Sequence, residues 1–404
     1  MAKLTVEDLE VSNCRVLMRV DFNVPIEDGR VASDKRIRAV LPTIQYLQKQ
    51  GAKLILISHL GRPGGEKKPE FSLKPCQKVL SELLNSEVAF IDDCIGKKVA
   101  DAVFQLKAGD IILLENLRFY KEETSNDPDF AGKLAGLGEV YVNEAFGTAH
   151  RAHASTEGIT HYIKQCAAGF LMKKELGYLG MLIEHSKRPF IAILGGAKIS
   201  GKIDVISNLL PKVDRLLIGG GMAFTFFKAL GYEIGNSLLE TDKVALAAKL
   251  LTEAKDKLVL PLDCLVTEKV DFKTREVSQL NQVDVKKIPA NYFGLDIGEK
   301  TIKAFNEILQ NAKTVVWNGP MGVFEIPQTA KGTFAIADIL AKITRNGAIT
   351  VIGGGDSAAA AQKAKIADQI SHISTGGGAC LSYLEGKVLP GVAALTEKPG
   401  KPGI

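Results

Sequence analysis

The chain has 404 residues, of which 46% are hydrophobic and 24% charged. Those proportions are globular and exclude a disordered, collagen-like or coiled-coil chain, while the length predicts two or three domains. Its 51 Lys and Arg against 46 Asp and Glu leave a net charge of +5 with no basic block, unlike a nucleic-acid binder, whose cations gather into a patch or stripe.

The opening MAKLTVEDLE lacks the apolar core of a secretory signal and sets Thr5 and Asp8 in a helix-capping pattern. Short apolar runs then alternate with longer amphipathic stretches. In the first half, runs at 15–20, 53–58, 88–91, 111–115 and 140–143 predict strands, and 37–50 predicts a helix. At 169–185, Met172, Leu176, Leu179 and Ile183 recur at helical spacing before Ser186-Lys-Arg-Pro189, which predicts a connecting helix. In the second half, runs at 190–194, 215–218, 258–261, 314–317, 348–352 and 369–373 predict strands, with helices at 334–343 and 357–367. Continuous rather than alternating apolarity suits strands buried on both faces. The pattern therefore predicts an α/β protein of two doubly wound parallel-sheet domains joined by a helix. The expected divisions are 1–172, a hinge helix at 173–187 and 188–389, with a Pro-, Gly- and Lys-rich tail at 390–404 that docks back on the first domain. No apolar run reaches the roughly 18 residues of a membrane span, so no membrane partner is expected. Six scattered cysteines without a CxxC pair read as thiols of a cytoplasmic protein.

The halves are equipped differently. Of 39 glycines, 24 follow Lys187, whereas eight of 12 arginines and five of six histidines fall within the first 185 residues. In an open parallel sheet, ligands bind outside the carboxyl ends of strands, where glycine lets backbone N–H groups approach phosphate and the next helix adds its dipole. Gly195-Gly196, Gly219-Gly-Gly221, Gly353-Gly-Gly355 and Gly376-Gly-Gly378 all stand at such exits, so the second half predicts a site for a large phosphorylated ligand. Gly196-Ala-Lys-Ile-Ser-Gly-Lys202 has the spacing of a P-loop but carries Ile203 where that loop needs Ser or Thr, which excludes it. Lys198 and Lys202 are four residues apart, which on a helix puts both ammonium groups on one face where an anion would join them. Asp356 reads either as a helix cap or as a magnesium ligand beside a polyphosphate. Glu325 reads either as a surface acid or as an acceptor for ribose hydroxyls. GxGxxG and the kinase HRD and DFG motifs are absent.

In the first half, polar residues cluster where strands end: Asp21-Phe-Asn23, His59-Leu-Gly-Arg62, Arg118 and Thr148-Ala-His-Arg-Ala-His153, with Arg36 near a helix start. Arginine forks bind carboxylate and phosphate in two-pronged fashion. Arginines at separate strand exits thus predict a crevice for a small, multiply charged anion. His150 and His153 have no Cys or Glu partners that would argue for zinc, so anion contact is their expected role, with a general-base role open.

At these residues the sequence closely resembles the phosphoglycerate kinase family along essentially its whole length. The resemblance is carried by VLMRVDFNVP at 16–25, SHLGRP at 58–63, LENLRF at 114–119, AHRAH at 149–153, LGGAK at 194–198, GLD at 294–296, VWNGP at 316–320, GGGD at 353–356 and STGGG at 374–378. It implies a cytoplasmic, monomeric enzyme with two Rossmann-like domains that close for in-line phosphoryl transfer. The implied reaction is reversible: 1,3-bisphosphoglycerate and MgADP give 3-phosphoglycerate and ATP. The first domain would hold the triose through Asp21, Phe22, Asn23, Arg36, His59, Leu60, Gly61, Arg62, Arg118, His150 and Arg151. The second would hold ADP or ATP through Gly196, Ala197, Lys198, Lys202, Gly294, Asn318, Glu325, Gly353, Gly354, Gly355, Asp356 and Ser357, with Asp356 on Mg2+. Arg36 and Lys198 would flank the transferring group, with the Gly355 and Gly378 turns aiming N–H donors at it. Ser357 stands where the family often has Thr, and Cys380, Ser382 and Tyr383 depart from its commoner residues. Two alternatives stay open: another acyl-phosphate or small-metabolite kinase, and a non-catalytic two-lobed anion-binding protein.

Overall fold

Apolar runs become central strands here because both of their faces are covered. In the computed structural model, which describes residues 3–399, the first six are β1 (Arg15–Arg19), β2 (Lys53–Ile57), β3 (Val88–Ile91), β4 (Ile111–Leu114), β5 (Val140–Asn143) and β6 (Cys166–Ala168). They form one sheet in the order β3-β4-β2-β1-β5-β6, every neighbour parallel. Val16 and Met18 of β1 and Leu54 and Leu56 of β2 point to one face. There they meet Ile37, Val40, Ile44 and Leu47 of the helix Lys35–Lys49, an apolar stripe at helical spacing. Each such side chain, fully buried, contributes roughly 1.5–3 kcal/mol. The capping pattern at Thr5 and Asp8 is present but closes a single 3-10 turn, Val6–Asp8.

β6 was not predicted, because three small residues give no periodic signal. It is an edge strand, and two distant segments cover it. Ala168 N–H donates to the Leu4 carbonyl at 2.9 Å, Leu4 N–H to Thr396 at 2.8 Å, and Thr396 N–H to Cys166 at 2.9 Å. The chain accordingly divides into two units, Met1–Gly177 with Val388–Ile404, and Tyr178–Lys387. The proposed docking of 400–404 lies outside the described residues. The helix Phe170–Glu184 contains the boundary. Its first turn is held by the buried Glu144 carboxylate, which accepts from Leu171 N–H at 2.9 Å and Met172 N–H at 3.0 Å.

In the second unit the strands of the two larger sheets are β7 (Phe190–Leu194), β8 (Arg215–Ile218), β9 (Leu258–Val259), β10 (Asp263–Thr267), β11 (Leu280–Asp284), β12 (Phe293–Ile297), β13 (Thr314–Asn318), β14 (Ile349–Gly353) and β15 (His372–Ile373). Six of them make a parallel sheet ordered β9-β8-β7-β13-β14-β15. Strand order reverses direction between β7 and β13, the place where doubly wound sheets open a crevice. The remaining three correct the sequence reading. β11-β10-β12 is a separate antiparallel sheet in a stretch where no strand was predicted. Its outer strand β11, LNQVD, is polar and only half buried, so it lacked the continuous apolarity that marks the central strands. The runs at 258–261 and 369–373 shorten to two-residue strands, and the helix expected at 357–367 runs Gly355–Lys363.

The turns after β7, β8 and β13 pack backbone on backbone. Gly195 N–H donates to the Asn318 carbonyl at 3.0 Å, Gly196 N–H to Pro320 at 2.9 Å, and Gly220 N–H to Met321 at 2.9 Å. Gly319 has φ +98°, and a Cβ there would lie 2.2 Å from the Gly195 oxygen. Gly347 has φ +89° but open space around it. Urea unfolding is expected to show Gly347→Ala losing about 1–2 kcal/mol, the left-handed penalty alone, and Gly319→Ala losing a further ~1–3 kcal/mol from the overlap. Equal losses would contradict the packing described.

Candidate active site

In the first unit the exits of β4, β2, β1 and β5 are neighbours, spanning about 15 Å at the usual strand separation. Each exit carries one part of the cluster. Asp21 and Asn23 follow β1, His59 to Arg62 follow β2, Arg118 lies in a 3-10 turn after β4, and His150 and Arg151 follow a 3-10 turn after β5. Arg36 is in the first turn of Lys35–Lys49. Side chains of one exit hold the next. Arg36 Nη1 is 2.6 Å from Asp21 Oδ2, Gly61 N–H donates to Asn23 Oδ1 at 2.9 Å, and Arg118 Nη1 donates to the Gly61 carbonyl at 2.8 Å. Asn116, not among the predicted site residues, accepts from the N–H groups of Leu60 (3.1 Å) and Arg118 (3.0 Å) and fixes both turns.

Positive charge outnumbers its partners. Arg19, within β1, is fully buried, with Nε donating to Ser155 Oγ at 2.8 Å and Nη2 lying 3.0 Å from His59 Nδ1. Burial, then Arg19, Arg118 and Arg36, hold the His59 imidazolium well below the usual histidine range. His153 is pushed down to about 4 by burial and by Arg19, Arg118 and Arg151, and Arg118 down to about 10 by burial and Arg19. Arg118 Nε and His153 Nδ1 are buried without a hydrogen-bond partner. Such atoms are costly unless a ligand completes them, and an anion with several acceptor oxygens would do so. Arg62 and Arg151 are exposed. Phe22 and Leu60 are core residues, and their N–H groups already donate to Ser58 Oγ and Asn116 Oδ1.

In the second unit a pocket of about 390 Å³ opens at the crevice. Gly196, Ala197, Gly294, Glu325 and Asp356 of the predicted residues line it. Its remaining wall is largely apolar, with Phe224, Phe227, Leu238, Phe293, Leu295 and Val323, a lining suited to a flat heteroaromatic ring. Gly294 is needed because a Cβ there would lie 2.1 Å from the Phe224 ring. Asp296, also unpredicted as a site residue, lies in the wall. Burial raises its carboxyl to about 7, while N–H groups of Gly332 (2.7 Å) and Ile297 (2.9 Å) oppose that rise.

Beside the pocket, the helices Gly355–Lys363 and Gly377–Leu384 begin against each other: a Cβ on Gly377 would lie 3.2 Å from Gly355 N. Their starts bring Gly353, Gly354, Gly355 and Gly378 together with Asn318, whose amide is 3.2 Å from where a Gly354 Cβ would be. Gly354 occupies the cap position, so Asp356 is in the first turn and exposed, correcting the reading of it as the cap itself. Ser357 is buried and its Oγ accepts from Gly319 N–H at 2.6 Å. Lys198 and Lys202 do not share a helix. Ser200, between them, is bonded through N–H and Oγ to Glu240, and the helix starts only at Ile203. Lys198 is exposed in the loop. Lys202 donates to Asn318 Oδ1, and burial lowers its pKa to about 8 against the opposing pull of Cys380 and Asp356.

Comparison with known proteins bears on this arrangement. The model of the phosphoglycerate kinase family matches residues 6–387. The chain is 56% identical over 399 residues to the phosphoglycerate kinase of Chloroherpeton thalassium, covering 98% of this chain and 100% of that one. It is 55% identical over 401 residues to that of Chlorobaculum tepidum, with the same coverage. Among solved structures, phosphoglycerate kinase from Coxiella burnetii superposes with a TM-score of 0.88 at 39% identity, covering 97% of this chain and 98% of that one. The enzyme from Pyrococcus horikoshii gives 0.83 at 35% identity, with the same coverage.

A phosphate placed near Lys202 raises its pKa, so above a free value of about 8 binding takes up a proton and affinity falls as pH rises. Calorimetry with a nucleoside diphosphate in buffers of different ionisation enthalpy, about half a unit above that value, should read the uptake. Lys202→Arg should abolish it; persistence in that variant would assign the proton to another group.

Proposed function

The chain belongs to the phosphoglycerate kinase family, and we propose that it divides the family's reaction between its units: the arginine cluster of the first takes the triose, and the glycine turns of the second take the nucleotide. The reaction is the reversible, magnesium-dependent transfer of a phosphoryl group from 1,3-bisphosphoglycerate to ADP, giving 3-phosphoglycerate and ATP. The observation that carries the division is the contrast between buried, unpartnered donors in one unit and paired helix starts beside an apolar pocket in the other. Asp21, Asn23, Arg36, His59, Arg62, Arg118, His150 and Arg151 bind the triose carboxylate and phosphates. The ring of ADP enters the pocket, Glu325 accepts from the ribose, and Asn318, Lys202 and the Gly353 to Gly355 turn hold the phosphates.

Magnesium fits this site. Asp356 is one exposed carboxylate on the pocket wall, and no group of three or more His, Cys, Asp and Glu able to hold a metal occurs among the described residues. That donor set suits an ion taking its other ligands from phosphate and water, and when bound it neutralises phosphate charge.

Phosphoryl transfer needs positioning and charge stabilisation more than covalent help from the protein. An acyl phosphate leaves as a carboxylate, so no side chain need supply or remove a proton. Arg36 and Lys198 stabilise charge on the transferring group, and N–H groups of Gly355 and Gly378 add donors at fixed positions. Arg36 is already oriented by Asp21 at 2.6 Å, whereas Lys198 is exposed and free to follow the group. The two ligands must meet with water excluded, so both units take part in each turnover. As a glycolytic enzyme the protein works in the cytoplasm, as a monomer.

A coupled assay with 3-phosphoglycerate, ATP and magnesium tests the activity. Arg36→Ala and Lys198→Ala should each lower kcat on the order of a thousandfold while the fold is retained. Turnover near that of the unaltered enzyme in either variant removes that residue from the mechanism.

A further inference from the structure

We propose that Arg19 is a positioning residue that fixes His59 as its neutral Nε2–H tautomer, so that the imidazole meets the triose as a hydrogen-bond donor. The inference deepens the reading above and rests on it for the place of His59 among the triose contacts.

The contact itself decides the tautomer. Arg19 Nη2 lies 3.0 Å from His59 Nδ1. A guanidinium has donors and no acceptor, so Nδ1 must be the acceptor, and the ring's one proton is on Nε2. Arg19 cannot swing away to relieve the pairing. It is fully buried, its Nε donates to Ser155 Oγ at 2.8 Å, and its Nη1 donates to the Val20 carbonyl. Ser155 is held in turn, its Oγ donating to the buried Glu123 carboxylate at 2.6 Å. No acceptor competes for a proton on Nδ1. Asp21 Oδ1 is 3.9 Å away, and the Asp21 oxygens are taken by Arg36 Nη1 at 2.6 Å and Asn23 N–H at 3.2 Å. A proton on Nδ1 would set N–H against N–H.

His153 shows the contrast. It stands in the same field of arginines, yet its Nδ1 is buried without a hydrogen-bond partner, 3.9 Å from Glu123 Oε1, so nothing fixes its tautomer. The charged groups of the triose are a carboxylate and phosphate, whose ionised oxygens only accept. A ring locked with N–H outward from Arg19 complements them, and the other tautomer would offer a lone pair instead.

The test is nitrogen NMR of the full chain labelled in its histidine rings, with His59→Gln identifying the signal. At neutral pH the unligated protein should show a pyridine-type Nδ1 and a protonated Nε2 for His59. A protonated Nδ1 or a mixture of tautomers would overturn the proposal without any variant having to fold. In Arg19→Met the signal should become a mixture, the KM for 3-phosphoglycerate should rise about tenfold, and the KM for ATP should stay unchanged. Retention of the pure Nε2–H form in that variant also overturns it. A tautomer lost as expected with an unmoved triose KM would leave Arg19 holding His59 but refute the donor role, by removing His59 from the triose site.

Discussion

Positive charge buried before any ligand arrives governs the first unit. At about 4 Å, two like charges near a protein surface repel by several kcal/mol. Arg19, Arg118, His59 and His153 nevertheless occupy adjoining strand exits with too few carboxylates among them. The fold meets the problem in two ways. The histidines stay neutral, which burial favours anyway. The arginines cannot lose their charge, so their forks are spread over Ser155, Val20 and Gly61, all uncharged acceptors. What remains unmet, notably Arg118 Nε, is the capacity that the proposed anionic ligand would fill.

The second unit is built in the opposite manner, with glycine turns and helix starts in place of charged side chains. Five neighbouring strand exits end in glycine turns, and those after β7, β8 and β13 are held to one another by backbone hydrogen bonds. Lys202 is drawn into this cluster, and burial there weakens its charge. Lys198 is left exposed. In the proposed mechanism the backbone turns are the fixed parts of this site, and the exposed Lys198 is the cation that would follow the transferring group.

Much of this was legible in the sequence for a simple reason: strands covered on both faces spell themselves as unbroken apolar runs, and ligand residues in such sheets follow them. The runs 15–20, 53–58 and 190–194 needed no tertiary information. What stayed hidden depended on partners far along the chain. β6 is three small residues that pair with β5 and with segments at both extremes of the described chain. In the antiparallel sheet of β10, β11 and β12, the polar, partly exposed strand β11 lacks an apolar run, so the sheet gave no strand signal there. The lysine pair was misread because Glu240, forty residues away, pins Ser200 and delays the helix. Arg19 escaped notice for the reverse reason: it sits inside an apolar run where a charge looks incidental, and only its contact with His59 shows its use. An arginine at the buried end of that apolar run was itself the available signal.

The pairing of Thr396 with Cys166 and Leu4 also bears on how the protein is made. A ribosome delivers residues in order, so the first unit's edge strand β6 emerges with Leu4 already made but long before Thr396, the other segment that covers it. The whole of Tyr178–Lys387 must be synthesised in between. During that interval the sheet is complete except for one open margin, a state able to pair with any other extended chain. The second unit is continuous and can finish folding as it emerges, whereas the first is sealed last, although it was begun first.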